Sequence, residues 1–521
     1  MQRTNLMLSR RQAIGLLTVS APALKIARAD AAVQLDITPG PFKGTRESLK
    51  EWQVPAWYRD AKFGIWAHWG PQSAPEYGDW YARNMYIQGN RQYEYHVKNY
   101  GHPTKFGFKD VIPTWKADEF DPEHLIGLYK KAGARYFCSM GVHHDGFDLW
   151  KSAHQPRWNA VAMGPKKDIV GLWKRAAQKA GLRFAVSEHL APSYHWFSTS
   201  HMSDKTGPLA GVPYDGTDPA YADLYHDLPK DYPYGQRVND RQAPDPWKLH
   251  YFKRIKDLVD NYQPDLLYTD GDIFFEEYGL ALVANLYNTS AKLHGGRVEA
   301  VYTSKLASDC ETGTCVLDWE RGVAAGIPAN PWQTDTCIGD WHYNKEAVAK
   351  YKSPKRVIDM LVDIVSRNGN LMLNFPLPNS GMLDDQELKI LDEITRWMAI
   401  NSEGIYATRP WKIFGDGPVA SAPPSGRGAR FNEAGRRDFT ADEVRFTTKG
   451  STLYAFVMGW PEKQAVIKPL GTTGSVARVT VKNVELLGFK GKVKWTQDEK
   501  GLTVQMPEQK PCDHAITLRI V

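Results

Sequence analysis

Short apolar strands alternate with amphipathic helices from about residue 55 to residue 410, and no other feature restricts the fold of this chain as strongly. Phe63-Gly-Ile-Trp-Ala67 reads as a strand ending at His68. The segment Pro122 to Ala132 is helical and stops at Gly133, and Tyr136 to Met140 is the next strand. Asp168 to Ala180 is a helix closed by Gly181, and Leu182 to Ser187 is the third strand. Trp247 to Tyr262 carries helical apolar spacing, and Asp265 to Thr269 follows as the fourth strand. Arg297 to Thr303 and Cys315 to Asp318 come next, then a helix over Lys355 to Arg367 and a strand over Asn370 to Phe375. Asp384 to Ile400 is a long last helix. This repetition predicts an α/β fold, a (β/α)₈-like barrel. A doubly wound open sheet is the alternative, but no Gly-rich phosphate loop follows an early strand.

The chain has 521 residues, enough for more than one domain. Beyond residue 411 the pattern changes. Gly415 to Arg437 is rich in Gly, Pro, Ser and Arg and reads as a linker or an exposed loop. Period-two strands follow at Val444–Thr447, Leu453–Val457, Ala477–Val481, Val493–Trp495, Leu502–Met506 and Ala515–Leu518, which predicts a C-terminal antiparallel β-sandwich. The expected organisation is an export signal at 1–29, a linker at 30–50, the barrel at 51–411, a linker at 412–437 and the β-sandwich at 438–521. The polar, aromatic stretch from about 201 to 246 is expected as a long loop at the barrel mouth.

Ser9-Arg10-Arg11-Gln12-Ala13-Ile14-Gly15 precedes an apolar run from Ala13 to Leu24, and Ala27-Arg28-Ala29 offers a small-x-small cleavage site. This resembles a twin-arginine export signal, so the mature protein is expected in the periplasm or secreted, without a membrane anchor after cleavage. The run is broken by Pro22 and too short to span a bilayer. Five cysteines, an odd number, argue against a disulfide framework, although Cys310 and Cys315 are close enough in sequence to pair. There is no CxxC or spaced His/Cys set, so neither metal nor cofactor is expected. The net charge of +6 is dispersed, without basic runs interleaved with aromatics, which argues against nucleic acid binding. Eighteen Trp and 25 Tyr suit a sugar-binding cleft, where flat rings meet pyranose faces.

Polar and aromatic residues stand just beyond the strand ends. His68 and Trp69, with Asp79-Trp80-Tyr81, follow the first strand, His143 and His144 the second, and Glu188 and His189 the third. Asp270 follows the fourth strand, and Glu320 follows Cys315–Asp318. A closed barrel would bring these ends to one rim. Two carboxylates among histidines and aromatics predict glycoside hydrolysis, with one group attacking or activating water and the other protonating the leaving oxygen. Asp270 has no helix to cap. Glu311, Asp272 and Glu188 compete with Glu320 for the second role.

These segments resemble glycoside hydrolase family 29, the retaining α-L-fucosidases, from about Trp52 to Trp411. The likeness rests on Phe63-Gly-Ile-Trp-Ala-His-Trp-Gly70, Gly78-Asp-Trp-Tyr-Ala-Arg83, His143-His-Asp-Gly-Phe147, Gly164-Pro-Lys-Lys-Asp-Ile-Val170 and Tyr268-Thr-Asp-Gly271. It extends through Trp332-Gln-Thr-Asp-Thr-Cys337, Trp341-His-Tyr-Asn344, Asn368-Gly-Asn-Leu-Met-Leu-Asn374 and Asn401-Ser-Glu-Gly-Ile-Tyr406. The resemblance implies a barrel followed by a β-sandwich, a fucosylated glycan as substrate and Asp270 as nucleophile. It implies that His68, Trp80, His143 and His144 line the sugar subsite, with Tyr268 beside the nucleophile. Asp79, Glu188, His189, Trp332 and Trp341 are added as substrate-binding candidates, and Glu320 as acid/base from strand order. Several positions depart from the family pattern. Asp79 stands for Glu, Tyr268 for Trp, and Ser187-Glu188-His189 for a Tyr-Tyr-Ser-like run. Lys305 is a stand-in for an arginine often found after the next strand. The alternatives are a carbohydrate-binding protein on a degenerate barrel, or a retaining glycosidase for a related sugar such as an α-L-galactoside.

Overall fold

All five residues of the strand Phe63–Ala67 are buried, so it carries no polar alternation. That is the signature of a strand covered on both faces. The computed structural model describes residues 35–229, 232, 242–418, 420, 431–433, 436–473, 476 and 479–521. The export-signal segment 1–29 and much of the stretch 412–437 lie outside the described residues.

Eight parallel strands close into a barrel in sequence order. They are β1 Phe63–Ala67, β2 Tyr136–Val142, β3 Arg183–Glu188, β4 Leu266–Thr269, β5 Val301–Ser304, β6 Val316–Asp318, β7 Trp332–Cys337 and β8 Gly369–Asn374. Closure is made by β1 on β8, with Phe63 opposite Leu371 and Trp66 opposite Asn374. Gly64 permits the close packing of β1 on β2, because a Cβ there would lie 2.3 Å from the Tyr136 ring.

The crossover helices start where capping chemistry directs. Asp121 caps α1 (Pro122–Lys131), with Pro at the first turn. The Asp168 side chain accepts from Gly171 N–H at the start of α2 (Ile169–Ala180), and Gly181 ends it in a left-handed conformation. The remaining long helices are α3 (Asp245–Tyr262), α4 (Glu277–Leu293), α5 (Pro354–Ser366) and α6 (Asp385–Asn401), the last opened by an Asp384/Glu387 capping box. The helix layer is incomplete. Only the four-residue helix Ala307–Cys310 joins β5 to β6, and no helix joins β6 to β7. Cys310 and Cys315, left open by the sequence, form a disulfide that closes this short connection.

The second part of the chain is antiparallel. Among the described residues, one sheet has five strands in the order β13-β16-β11-β10-β9, and the other three in the order β12-β15-β14. Their ranges are β9 Arg409–Asp416, β10 Val444–Lys449, β11 Thr452–Val457, β12 Gln464–Ile467, β13 Val484–Leu486, β14 Trp495–Asp498, β15 Gly501–Gln505 and β16 Ile516–Ile520. Two sequence expectations change here. The linker expected from 412 begins later, because Arg409–Asp416 is the edge strand paired with β10. Its Trp411 and Ile413 pack on the sheet core, a period-two signal masked by the Gly- and Pro-rich composition that follows. The strand expected at Ala477–Val481 is replaced by Val484–Leu486, which pairs with β16; residues 477 and 478 lie outside the described set.

At the other end, the expected linker 30–50 is packed from Thr38 onward. Asn288 accepts from Phe42 N–H at 2.9 Å, and Phe42 and Leu49 are buried. Of the stretch 201–246, the described residues 201–229 form short helices and turns rather than an open loop, and 230, 231 and 233–241 lie outside the described residues. Asp204 accepts from the Tyr93 and Tyr214 hydroxyls, and Asp215 from Tyr86 and Tyr225.

Candidate active site

The carboxyl ends of the barrel strands enclose a cleft of about 430 Å³. β1 and the loop after it supply Trp66, His68, Asp79 and Trp80; β2 leads to His143 and His144; β3 leads to His189. β4 supplies Tyr268, Asp270 and Gly271; Lys305 follows β5, Glu320 follows β6, and Asp335 and Trp341 come from β7 and its loop. Phe431 completes the wall. Ten of the twelve sequence-predicted residues therefore meet in one cavity.

Lys305 joins the two predicted catalytic carboxylates. Its Nζ lies 2.6 Å from Asp270 Oδ1 and 2.7 Å from Glu320 Oε2, so those oxygens are separated by no more than the sum, about 5.3 Å. The other Asp270 oxygen is 3.2 Å from His144 Nε2 and 3.2 Å from His189 Nδ1. Burial alone would raise the Asp270 carboxyl, but Lys305, His189 and the hydrogen bonds from His144 and His189 outweigh it and hold the group well below its usual range. Glu320 moves the opposite way. Burial raises its carboxyl, and the charges of Asp335 and Asp270 add to this against the pull of Lys305. Two carboxyl groups in one cleft are thus driven apart, one ionised and one inclined to hold a proton.

The histidines differ in protonation for reasons visible in their partners. His144 Nδ1 faces the His189 carbonyl at 2.7 Å, and a carbonyl only accepts. Its Nε2 faces the Asp270 carboxylate, so both ring nitrogens meet acceptors, an arrangement that favours the charged imidazolium. Burial opposes that charge, but the bond and charge of Asp270 prevail and raise His144 above its ordinary value. His143 is the reverse case. Gln72 Nε2 donates to its Nδ1 at 2.8 Å, and Ala82 N–H bonding to Gln72 Oε1 fixes the amide orientation. His143 Nε2 then carries the hydrogen and points toward Asp79 at 3.9 Å. Burial and the neighbouring histidines hold His143 and His68 neutral.

The wider scaffold matches a family. Residues 30–403 fit the alpha-L-fucosidase model and residues 436–521 the alpha-L-fucosidase C-terminal domain. The chain belongs to the α-L-fucosidase family, glycoside hydrolase family 29. It is a glycoside hydrolase. The tissue alpha-L-fucosidase of Homo sapiens is 26% identical over 476 residues, covering 89% of this chain and 87% of that protein. The alpha-L-fucosidase of Branchiostoma floridae is 26% identical, covering 92% and 95%. In fold, the chain is similar to the Thermotoga maritima alpha-fucosidase in complex with fucose, at a TM-score of 0.69 and 24% identity over 92% of this chain and 100% of that one.

Two predicted site residues of this fucosidase lie outside the cleft. Glu188 is buried against the helix layer, where it accepts from Tyr251 Oη at 3.2 Å, from Leu190 N–H at 3.0 Å and from the Thr269 hydroxyl. Neighbours along a strand take opposite faces, so placing His189 in the cleft turns Glu188 away from it. Trp332 stands at the amino end of β7, a strand length from the rim. It packs against the Trp319 ring at a tilt of 41° and donates to the Arg367 carbonyl at 2.8 Å. Of the competing acids, neither Glu311 nor Asp272 lines the cleft.

Sequence reasoning missed Asp335, Trp66 and His342 as site residues, and offered Lys305 only as a substitute. Asp335 accepts from Tyr268 Oη at 2.9 Å beneath Lys305. His342 Nδ1 bonds Asp79 Oδ1 at 2.7 Å. The signal for Lys305 was present, since it directly follows an apolar strand as Asp270 does. The expectation of no metal rested on sequence spacing alone. The fold nonetheless gathers ligand atoms within 4.8 Å of one another in His68/His143/His189, Asp79/His143/His342 and His144/His189/Asp270. All three sets overlap the cleft lining.

Proposed function

We propose that the protein is an exported, retaining α-L-fucosidase that removes terminal α-L-fucosyl residues from glycans. The observation that carries this reading is the Lys305 bridge. It keeps the Asp270 and Glu320 oxygens no more than about 5.3 Å apart, an upper limit that agrees with the ~5–5.5 Å of retaining enzymes and falls short of the ~6.5–9.5 Å that leaves room for water in inverting ones. In the first step an Asp270 oxygen bonds to the anomeric carbon while the glycosidic bond breaks. Glu320 gives its proton to the departing oxygen. In the second step a water molecule loses a proton to Glu320 and its oxygen displaces Asp270, returning both groups to their starting state. Lys305 and the His144 imidazolium keep Asp270 ionised for attack. His68, His143, His189 and the Asp79–His342 pair offer donors and acceptors to sugar hydroxyls, and Trp66 and Trp341 offer apolar faces.

The test is release of an aryl group from an aryl α-L-fucoside, beside Asp270→Ala and a panel of related glycosides. The variant is expected to lose on the order of a thousandfold or more in kcat while remaining folded. Undiminished turnover in Asp270→Ala would reject the assignment, and preference for an α-L-galactoside would reassign the glycone. Export is supported by the Arg10-Arg11 motif and by the Cys310–Cys315 disulfide, a bond favoured in oxidising compartments. Fractionation should find a mature chain beginning at Asp30 outside the cytoplasm, with Arg10→Lys/Arg11→Lys retaining precursor inside. Equal export of that variant would exclude the twin-arginine route.

A further inference from the structure

One wall of the cleft comes from a segment that neither family domain contains. Residues 30–403 and 436–521 are matched by the two family models, and Phe431 falls between them. It lines the cleft nonetheless, and it is 51% exposed. The histidines on the cavity floor are nearly inaccessible by comparison; His68 is 2% exposed and His144 5%. The cavity thus grades from a buried polar floor to an open aromatic edge.

The barrel itself holds Phe431 in place. Where no helix joins β6 to β7, residues 319–321 continue alongside β7, with Trp319 N–H on the Gln333 carbonyl at 2.9 Å and Arg321 N–H on the Asp335 carbonyl at 2.8 Å. The free edge of that extension is taken by the segment 431–433. Phe431 N–H donates to the Glu320 carbonyl at 2.9 Å and Glu433 N–H to the Arg321 carbonyl at 3.0 Å. The Asn432 side chain makes two further bonds to the Val323 backbone, at 3.1 and 3.0 Å. Lys352 and Thr336 fix the Glu433 carboxylate at 2.6 and 2.7 Å. Phe431 has φ 52°, a left-handed conformation that a bulky residue adopts only under constraint from its surroundings.

We propose that Phe431 is a specificity-determining platform for the leaving-group sugar, so that this chain takes fucose preferentially from a pyranosyl acceptor. The inference rests on the assignment of Asp270 and Glu320 as the reacting pair. Glu320 protonates the oxygen that links the two sugars, so the sugar beyond that oxygen lies beside Glu320. Phe431 is bonded to the backbone of that same residue. The closed, histidine-rich floor suits the hydroxyls of the glycone, whereas an exposed ring at the edge suits the apolar face of a second pyranose. No hydrogen-bonding group is required of Phe431, so it acts through ring contact alone.

The experiment compares wild type, Phe431→Ala and Phe431→Trp on α-L-fucosyl fluoride, whose leaving group has no ring, and on a fucosyl-galactose disaccharide. For Phe431→Ala, kcat/KM on the disaccharide should fall roughly threefold to tenfold while the fluoride is turned over as before, and Phe431→Trp should restore the disaccharide rate. An equal fall on both substrates would overturn the platform, because it would mean that the ring only supports Glu320. No change on the disaccharide would also overturn it. Failure of wild type to hydrolyse the fluoride would instead overturn the catalytic assignment, and the platform with it.

Discussion

Lys305 exerts the largest charge effect on both Asp270 and Glu320. It is buried, and burial alone would lower its ammonium, yet Asp270, Asp335 and Glu320 raise it well above its ordinary value. A permanent cation between two carboxyl groups lowers both, and removing it must raise both. The acid limb of the pH–activity profile belongs to the group that must be ionised, and the alkaline limb to the group that must hold its proton. Lys305→Met is therefore expected to move the whole profile to higher pH and to reduce kcat on the order of a hundredfold. A pH profile of kcat/KM checks this, and an unmoved profile would reject the role. Glu188 makes the opposite point at the same scale. Its burial raises its carboxyl in spite of three donors, so it serves the β3–helix packing as a buried acid that sequence position alone made look catalytic.

At the scale of elements, the loop after each strand decides what the strand end can do. Gly271, immediately after Asp270, has φ 147°, and a Cβ there would lie 2.5 Å from the Phe274 ring. Its carbonyl also accepts the Lys305 N–H at 2.7 Å, linking the ends of β4 and β5. Gly271→Ala should displace both Asp270 and Lys305. We expect kcat to fall on the order of a hundredfold and stability by roughly 1–3 kcal/mol from backbone strain. Steady-state kinetics beside urea unfolding would check this, and a variant with unchanged kcat would show that the turn tolerates a side chain. The missing helix between β6 and β7 has its own consequence. It leaves a strand extension whose edge is free to accept the segment 431–433.

At the scale of the molecule, α5 is the seam between barrel and β-domain. Asp363 on that helix bonds Arg367 at 3.2 Å and Arg445 of β10 at 2.5 Å, with Arg436 at 3.4 Å. Lys355 reaches the Met458 carbonyl, and Asp359 accepts from Phe439 N–H. Burial would raise Asp363, but Arg367, Arg445 and Arg436 outweigh it and hold its carboxyl well below the ordinary range. A depressed carboxylate contributes stability that is fully present above its unfolded value of about 3.9 and is lost as pH falls through the folded value. Asp363→Asn strands buried arginines and should cost about 3–5 kcal/mol at neutral pH. It should also flatten the acid dependence of stability below pH ~4. Urea unfolding at neutral and acid pH measures both, and a loss under about 1 kcal/mol would reduce this cluster to a bystander.

The sequence by itself determined the barrel, its following β-domain and most of the rim. Strands buried on both faces must be apolar runs, helices must begin at caps and end at glycine, and these patterns are local. It therefore found β1 to β4 and β8, marked the segments of β5 and β6, and placed His68, His143, His144, His189, Asp270 and Glu320 at the correct strand ends. It missed β7, because Trp332-Gln-Thr-Asp-Thr-Cys337 is polar along the interior that faces the site, and so it missed Asp335. Only the tertiary structure decided which face Glu188 takes, that Trp332 lies at the far end of its strand, and that His342 bonds Asp79 across 263 residues. The same holds for Phe431, whose surroundings in sequence carry no periodicity at all. Periodicity is written in neighbouring residues, whereas barrel closure and strand register set which distant side chains meet.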